Sequence, residues 1–522
     1  MKFSKRIFTV LMALLLLIGS VSLMFIFTGC DRGPENGPPA DMDVYFLVNG
    51  ADDSFVLVDD FDVNTRSIAI PENQDPNDVV NAAVIRRNAL IEDQIGARIH
   101  MRTRTHAHNV PGGMLDYLTP LFANGISDYH VISGHQFFSI TKIFEAGEGL
   151  FVNFNGLTSE ESALQLEQPW WDDQRIGALE FNGASWFITG HISQSWIAGV
   201  YVSIVNRRIW EEHANVIAGH TGGISNIYDI VREGLWTLDL WTTLASSTGG
   251  IFSGAGARAV RGDTVAYLSH VESGSWGGFA MSVGAGIPYT IMEGNLPRIG
   301  LQDPRANAIA ERINELYFVS AGAYISSDAS PGNMFDVFRE GNSLMMISML
   351  QNVEVHLVEE GFEDGVFIVP VPKFNSAQAN YYSVVHDLVA LFSIPVIHFG
   401  DIRALTSVLE LMAELSYRYV YPAYYTTTLK RLIIGGEHDD LTDMLQIARR
   451  GIQTCFNTIW AARLSPAPIF VLRAGQQSFP SHIRTNINGW NLQINSLLVD
   501  LQSAVDQTNI NMARARQELN AR

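Results

Sequence analysis

Positive charge, and lysine above all, is scarce in this chain. Of its 522 residues, 34 are Lys or Arg and 54 are Asp or Glu, which leaves a formal net charge of −20 at pH 7. Lysine occurs only five times. Proteins that bind nucleic acid neutralise the phosphate backbone with clustered cations. The acidity of this chain therefore excludes nucleic acid as a partner.

Charged residues as a whole are also few, at 17%, whereas hydrophobic residues make up 47%. These proportions exclude an intrinsically disordered chain, a collagen-like chain and a long coiled coil. A single hydrophobic core stops growing at about 250–300 residues. Since the chain is much longer than this, we predict two globular bodies.

Signatures of common catalytic sites are missing from the sequence. It contains no HExxH, GxSxG or GxxxxGK[ST] motif. Residues 254–256 (Gly-Ala-Gly) superficially resemble a dinucleotide fingerprint, but no strand is predicted before them, which favours a loop. His100, His106 and His108 have no carboxylate or cysteine nearby in sequence to complete a metal shell. We therefore predict surface histidines and no metal site.

The first thirty residues have the pattern of an export signal. Lys2, Lys5 and Arg6 precede an uncharged run over residues 7–28, which predicts a signal peptide at residues 1–29. The end of this run, Thr-Gly-Cys, resembles the lipobox of bacterial lipoproteins, although a phenylalanine stands where that motif usually has leucine. The resemblance implies that the thiol of Cys30 is lipidated. Residues 30–41 would then form a flexible tether, rich in proline and glycine.

An uncleaved transmembrane anchor is the alternative, because the apolar run is just long enough to span a bilayer. In both cases the positive end stays inside and the body lies outside. We therefore expect the protein on the outer face of the bacterial cytoplasmic membrane. Cys455 is the one cysteine besides Cys30. It has no partner for an intramolecular disulfide, so we predict a small buried apolar residue, with a reactive thiol as the alternative.

Hydrophobic patterning beyond the tether predicts alternating strands and helices. The predicted strands are residues 66–70, 97–101, 129–133, 201–206 and 366–371. The predicted helices are 78–96 with Asp78 as its N-cap, one after Thr237, 303–317, 401–419, and one or two more over 487–522. Strands separated by single helices indicate βαβ units with parallel strands, and hence an α/β fold.

Aromatic residues are 10% of the chain, and several tryptophans stand beside polar residues or glycine. Examples are Trp171 before Asp172, Trp196 after a serine, and Trp276 between serine and glycine. An indole can pack against the apolar face of a sugar ring while a carboxylate accepts bonds from its hydroxyls. Ordinary core packing is the alternative for each tryptophan. Asp172 and Asp173 would point to opposite faces of a strand, which makes a poor acid–base pair but leaves one able to bind a hydroxyl.

Taken in order along the chain, several segments resemble the family 1 extracellular solute-binding proteins, the lipoprotein receptors of carbohydrate ABC importers. The resemblance covers most of residues 75–465, and the lipobox lies where that family has one. The segments are residues 81–92, 128–129, 168–172, 206–208, 234–237, 338–343, 370–373, 378–382, 414–419 and 421–425.

This resemblance implies a two-lobed, type II periplasmic-binding-protein-like α/β fold with a ligand cleft between the lobes. Lobe 1 would combine residues 42–198 and 368–420, and lobe 2 residues 199–367 and 421–522, joined by a hinge. The protein would perform no chemistry. It would capture a sugar or oligosaccharide and deliver it to the permease subunits of an ABC transporter. No cofactor is implied.

The ligand contacts follow from the aromatic and acidic pattern, because cleft residues vary with the sugar. We expect Trp276 and Phe279 from lobe 2, and Trp171, Asp172 and Trp196 from lobe 1 or the hinge. Trp276 would stack on a sugar ring and Asp172 would accept hydroxyl bonds. Related sequences often carry an acidic, calcium-like loop after the Thr237 helix. That loop has a single acidic residue here, so no calcium is predicted.

Two other function classes share these features. A surface-anchored polysaccharide hydrolase would need two carboxylates about 5–9.5 Å apart, a separation that sequence does not reveal. A ligand-sensing subunit of a membrane signalling system would use the same lobes and the same anchor, and its neighbouring genes would encode a kinase instead of permeases.

Overall fold

The structure is a computed structural model of the whole chain, and it describes the following residues: 42–50, 67–70, 75–105, 118, 120–122, 124–126, 128–135, 149–247, 265–270, 276–293, 296–320, 322–326, 331–358, 361–386, 389–425, 438–452 and 478–521. The predicted signal peptide, tether and lipidated Cys30 lie outside these residues. So do Cys455, His106, His108 and the loop at 254–256.

The strands are β1 (Met42–Gly50), β2 (Ala97–Thr105), β3 (Val131–His135), β4 (Tyr201–Asn206), β5 (Val265–His270), β6 (Thr290–Glu293), β7 (Leu296–Ile299), β8 (Ala323–Ser326), β9 (Ser343–Met349), β10 (Val366–Val369) and β11 (Ala390–Ser393). The α-helices are α1 (Val79–Ile95), α2 (Asp173–Ala178), α3 (Ser195–Ala198), α4 (Arg207–Glu212), α5 (Ala214–His220), α6 (Ile227–Arg232), α7 (Leu238–Ser247), α8 (Trp276–Gly284), α9 (Pro304–Asn314), α10 (Pro331–Arg339), α11 (Leu350–Val353), α12 (Ile402–Leu415), α13 (Tyr421–Tyr424), α14 (His438–Arg450) and α15 (Phe479–Asn520). Short 3-10 helices are Phe154–Gly156 and Val396–Asp401, and π-helical turns are Glu315–Val319, Glu354–Val358 and Ser416–Val420.

The first lobe is built on a four-stranded sheet in the order β11-β3-β1-β2. β1 runs parallel to both β2 and β3, and β11 runs antiparallel to β3. Helix α1 connects towards β2 and begins at Asp78, whose carboxylate accepts hydrogen bonds from the N–H groups of the first turn. It ends at Gly96, which has a φ of 69°, a backbone conformation that favours glycine. The predicted cap, helix and following strand are confirmed.

The second lobe is built on a five-stranded sheet in the order β10-β4-β9-β5-β8. β4 is antiparallel to both β10 and β9, whereas β5 is parallel to β9 and β8. Every residue of β4 is buried, as expected of an apolar strand covered on both faces. Thr237 caps α7 as predicted, because its hydroxyl accepts a hydrogen bond from the N–H of Leu240 at 3.2 Å.

The chain crosses between the two lobes along two segments that lie side by side. Val200 and Val385 form an antiparallel bridge. The N–H of Tyr201 donates to the carbonyl of Val384 at 3.0 Å, and the N–H of His386 donates to the carbonyl of Gly199 at 2.9 Å. Two paired extended segments of this kind provide a hinge at which each lobe can move as a body.

The residue limits of the lobes stay a prediction. β10, which straddles the predicted limit at 367/368, pairs with β4 of the second sheet. Val371 and Val384 also pack in the core of that sheet.

Helix α15 extends along both lobes. It has 42 residues, a length of about 63 Å at 1.5 Å per residue. Trp490 and Ile494 in its first half are buried in the core of the second lobe. Leu501 and Val505 in its second half are buried among residues of the first lobe. Where the sequence predicted one or two helices, there is one.

One predicted strand, at residues 66–70, is wrong. Ser67 and Ile68 have a helical conformation, and their carbonyl groups accept hydrogen bonds from the guanidinium of Arg87, both at 2.7 Å. Ser67 also accepts a bond from the N–H of Gln194 at 2.8 Å. The polar groups of this segment are thus satisfied by side chains and not by a neighbouring strand.

No helix within the described part of the chain is long and apolar enough to cross a membrane.

Candidate ligand-binding site

Two of the predicted ligand contacts, Asp172 and Trp196, meet at the hinge. The indole N–H of Trp196 donates to Oδ2 of Asp172 at 2.7 Å. Trp196 lies in α3, directly before the first crossing between the lobes, and is 5% exposed. The carboxylate is therefore held in a fixed orientation by a buried aromatic side chain, which suits a group that must accept bonds from a ligand.

A narrow backbone pairing holds Asp172 in place. Trp171 forms an antiparallel bridge with Gly190, and the N–H of Asp172 donates to the carbonyl of Thr189 at 3.1 Å. A Cβ at position 190 would collide with the carbonyl oxygen of Trp170 and lie 3.0 Å from the Cα of Trp171. Only glycine allows the two segments to approach this closely.

Trp171 itself points away from Asp172 and into the core of the first lobe. Its indole N–H donates to Oε2 of Glu410 at 2.9 Å, and that of Trp170 donates to Oε1 at 2.8 Å. Burial raises the pKa of Glu410. Trp171 is 5% exposed. It therefore anchors the Asp172 segment to α12 and presents no ring face to a ligand in this conformation.

His191 lies beside Trp196 in a group of aromatic rings. Its ring centroid is 5.1 Å from that of Trp196, 5.0 Å from Tyr417 and 4.7 Å from Tyr421. Its Nδ1 lies 3.1 Å from the carbonyl oxygen of Trp170. Burial, together with the positive charge of Arg449, lowers the pKa of His191 to about 3. The imidazole is therefore neutral near pH 7.

Arg449 brings the second lobe to this group. It belongs to α14, which packs on the second sheet through Leu441 and Leu445. The guanidinium carbon lies 4.2 Å from the ring centroid of Trp196, and Nη1 donates to the hydroxyl of Tyr421 at 3.0 Å. A guanidinium over an indole is an attractive cation–π contact. We call the set Asp172, His191, Trp196, Tyr417, Tyr421 and Arg449 the hinge cluster.

The two residues predicted from the second lobe do not join the hinge cluster. Phe279 is 2% exposed and packs on Tyr289, with ring centroids 5.3 Å apart, inside the second core. The ring is turned inward in this conformation, and its contact with a ligand stays a prediction. Trp276 begins α8, six residues after the carboxyl end of β5. Its side chain lies outside the described atoms, and its role stays a prediction.

Sequence reasoning missed four members of the hinge cluster and one neighbour, Gln194. His191 and Gln194 are 4% and 3% exposed. The local sequence gives no sign of this burial, because both are polar residues in a serine-rich stretch. Tyr417 and Tyr421 lie in a segment that carried the family resemblance. Arg449 is 253 positions from Trp196 in the chain, so no local pattern could connect them.

Hydrogen-bonding capacity is left over next to the hinge cluster. Within the part of the chain that the structure describes, Nε2 of His191 and both amide atoms of Gln194 are buried and have no hydrogen-bond partner. Buried polar atoms of native proteins are nearly always paired. Among the same residues, no group of three or more His, Cys, Asp or Glu side chains is arranged to hold a metal ion.

Comparisons with known proteins identify the fold. No protein-family model matches the sequence, and no curated protein matches it. A cyclo/maltodextrin-binding protein in complex with maltotetraose is similar in structure, with a TM-score of 0.53 and 12% identity, over 88% of this chain and 99% of that one. The GacH receptor of Streptomyces glaucescens GLA.O, studied without ligand and with acarbose, is similar with a TM-score of 0.50 and 10% sequence identity. The similarity covers 88% of this chain and 99% of that one.

An ABC substrate-binding protein from Listeria monocytogenes in complex with cycloalternan gives a TM-score of 0.50 and 10% identity, over 87% of this chain and 99% of that one. At such low identity the similarity shows the fold and leaves the ligand open. The predicted α/β, two-lobed, type II periplasmic-binding-protein-like fold is confirmed.

Proposed function

We propose that this protein is an extracellular substrate-binding protein that captures a sugar or oligosaccharide between its lobes and delivers it to the permease of an ABC transporter. The observation that carries the proposal is the hinge cluster. It joins a fixed carboxylate, a neutral imidazole, aromatic rings and an arginine, and Arg449 is contributed by the opposite lobe.

This chemistry suits a carbohydrate. A sugar has apolar C–H faces that pack on aromatic rings and hydroxyl groups that need both donors and acceptors. Asp172 and His191 supply acceptors, and Gln194 supplies both. The three similar structures were determined with acarbose, maltotetraose and cycloalternan. The ligands of these three proteins support a carbohydrate as the ligand class.

A hydrolase is less well supported. Its acid–base chemistry needs two carboxyl groups facing one bond. In the described hinge cluster the one carboxylate is Asp172. Glu410, the nearest buried acid on α12, has both oxygens bonded to the indoles of Trp170 and Trp171. A pair of carboxylates poised over a shared substrate is not formed by these residues.

The anchoring of the protein is a separate proposal that rests on the sequence of residues 1–30. Lipidation of Cys30 would hold the lobes at the outer face of the cytoplasmic membrane, near a permease. A Cys30→Ser variant would then be released into the medium or periplasm, whereas the unaltered chain would fractionate with membranes and incorporate labelled palmitate. A variant that stays in the membrane would favour the uncleaved anchor.

The ligand-capture proposal is tested by thermal unfolding of residues 31–522 with D-glucose, D-galactose, maltose, maltotetraose, acarbose and α-cyclodextrin. A ligand at 100 times its Kd adds about 2.7 kcal/mol to the stability of the native state, which raises the midpoint measurably. The saccharide should be recovered intact by chromatography. Cleaved saccharide would favour the hydrolase, and a midpoint unmoved by every saccharide would reject carbohydrate capture.

A further inference from the structure

Two neighbouring side chains at the hinge are buried with unused hydrogen-bonding atoms. Gln194 is 3% exposed, and neither its amide oxygen nor its amide nitrogen has a partner within the described residues. His191 is 4% exposed, and the same is true of its Nε2. A buried polar atom without a partner has lost its water and gained nothing in return, so it destabilises the folded state. Three such atoms, Nε2 of His191 and the two amide atoms of Gln194, lie within four residues of the chain, and a function would explain why they are kept.

Their place in the fold indicates what that explanation is. Gln194 directly precedes α3, which leads into the first crossing at Gly199. The hydroxyl of Ser195 accepts a hydrogen bond from the N–H of Ala390, at the end of the second crossing, at 3.3 Å. His191 contacts the rings of Trp196, Tyr417 and Tyr421 in the hinge cluster. The unused atoms therefore lie where both crossings and the opposite lobe's Arg449 converge.

The hydrogen-bonding character of His191 follows from its partner. Nδ1 faces the carbonyl oxygen of Trp170 at 3.1 Å, and a carbonyl can only accept, so Nδ1 carries the proton of the neutral ring. Nε2 is then an acceptor. The low pKa of this imidazole, about 3, keeps it in that form. Gln194 adds a second acceptor and two donor hydrogens.

A hydroxyl group complements both side chains, whereas an anionic group complements only the amide hydrogens of Gln194. A hydroxyl can donate to Nε2 of His191, and another can exchange bonds with the amide of Gln194. A carboxylate or a fully ionised phosphate group of a ligand carries no proton to donate to an imidazole acceptor. Resting on the function proposed above, we propose that His191 and Gln194 are specificity-determining contacts that select an uncharged, hydroxyl-rich ligand.

The test compares binding by four forms of residues 31–522: the unaltered chain, His191→Phe, Gln194→Met and Ser343→Ala. Each substitution removes buried unpartnered polar atoms while keeping similar shape, and His191→Phe also removes the bond from Nδ1 to the carbonyl of Trp170. Ser343 is the matched control, because it begins β9 at the end remote from Val200 and the hinge. Calorimetric titration would use maltose, maltotetraose, D-glucose and its charged counterparts D-glucuronate and D-glucose 6-phosphate.

We expect the unaltered chain to bind at least one of the neutral saccharides at least tenfold more tightly than D-glucuronate or D-glucose 6-phosphate. His191→Phe and Gln194→Met should each weaken binding of that saccharide by tenfold or more. The ligand-free unfolding midpoint of Gln194→Met should match or exceed that of the unaltered chain, because unpaired polar atoms have been removed and no bond is lost. Ser343→Ala should change the unfolding midpoint and leave the affinity for the saccharide unchanged.

A second measurement needs no variant. In protein labelled with nitrogen-15 at histidine, the Nε2 resonance of His191 should shift when the saccharide is added, because this atom gains a hydrogen bond. If the unaltered chain binds a saccharide but neither variant loses affinity and the resonance does not move, these contacts are wrong and sugar capture stands. If the unaltered chain binds none of the saccharides, both proposals fail.

Discussion

Single residues decide how closely the segments of the first lobe approach at the hinge cluster. Gly190 is required because its Cα faces the backbone of Trp170 and Trp171. The two acidic residues nearby have different roles: Asp172 is held by the indole of Trp196, and Glu410 binds two other indoles and fastens the segment to α12. The orientation of Asp172 thus depends on neighbours that would never touch a ligand.

Gly190→Ala tests this close approach. The added methyl group would push the Trp170 backbone away, and we expect a loss of about 1–3 kcal/mol in the free energy of unfolding, as for other overpacked sites. Urea unfolding would measure it. Gly177→Ala is the control, because nothing lies within 4 Å of a Cβ there and the residue is in helix α2. It should be neutral or stabilising by up to about 1 kcal/mol. Equal effects at both positions would contradict the steric explanation.

Buried histidines make stability depend on pH. Burial lowers the pKa of His130, His191, His398 and His482, to about 3 in His191 and about 4 in His398. Below about pH 6.5 the unfolded chain binds protons at these residues more readily than the folded chain does. The free energy of unfolding should therefore fall as the pH falls from 7 towards 4.

His191 and His398 each contribute up to about 1.4 kcal/mol per pH unit in that window, whereas His130 and His482 are less buried and contribute less. Urea unfolding at pH 7.0 and pH 5.5 would measure the slope. A His398→Gln variant, which does not titrate, should show a shallower slope than the unaltered chain. Identical unfolding free energies at the two pH values would show that these imidazoles are not shielded as the structure indicates.

At the scale of elements, α15 is the feature that links the lobes away from the crossings. Its first half packs by apolar side chains against the second lobe and adds one long, exposed contact, from Arg298 to Asn495 at 3.4 Å, whereas its second half makes shorter polar contacts with the first lobe. The indole N–H of Trp186 donates to the hydroxyl of Thr508 at 2.9 Å in a buried position. Arg516 binds both carboxylate oxygens of Glu161, each at 2.7 Å. The helix is thus fastened more firmly to one lobe, and we infer that it moves with that lobe.

Thr508→Val tests the attachment. The substitution keeps the shape of a fully buried residue but leaves the Trp186 indole without this bond, so we expect a loss of about 1–2 kcal/mol in the free energy of unfolding. Thr485→Val on the same helix is the control, because that hydroxyl is exposed and bonds only a carbonyl one turn back. It should change stability by less than about 0.5 kcal/mol. If the Thr508→Val chain is as stable as the control, the bond between Trp186 and Thr508 does not attach the helix to the first lobe.

At the scale of the whole molecule, the cation–π contact of Arg449 with Trp196 joins the two predicted lobes. If the lobes open to admit a ligand, this contact must break and form again. It therefore contributes to the balance between open and closed forms. The unpaired atoms of His191 and Gln194 act in the opposite direction, since closing buries them and opening rehydrates them.

Arg449→Lys tests that balance, because lysine lacks the planar group that stacks on an indole. A cation–π contact is worth about 0.5–2 kcal/mol, so we expect the closed form to lose roughly twofold to thirtyfold in population. Small-angle scattering should report a larger radius of gyration for the ligand-free chain. Arg450→Lys, on the exposed side of the same helix, should leave it unchanged. A smaller radius for Arg449→Lys would contradict the inferred contact.

Local sequence determined much of the architecture. The Asp78 cap, the glycine that ends α1, the apolar run of β4 and the Thr237 cap each depend on a few adjacent residues, and each prediction was confirmed. The order of family-like segments also predicted the two-lobed fold correctly. In the candidate site, residue types alone singled out Asp172 and Trp196 as separate candidates, and the structure showed that they are bonded to each other.

Tertiary structure decided the rest, for physical reasons that no local pattern contains. Residues 66–70 have the composition of a strand, but the guanidinium of Arg87 takes their carbonyl groups. Phe279 stands among glycines, yet the helix turns its ring into the core. The hinge cluster needs Arg449 from α14, and the unused atoms of His191 and Gln194 become meaningful only once the fold has buried them. The candidate site is defined by the burial of its residues and by contacts between residues far apart in sequence. Both depend on how the whole chain packs, so local sequence does not predict them.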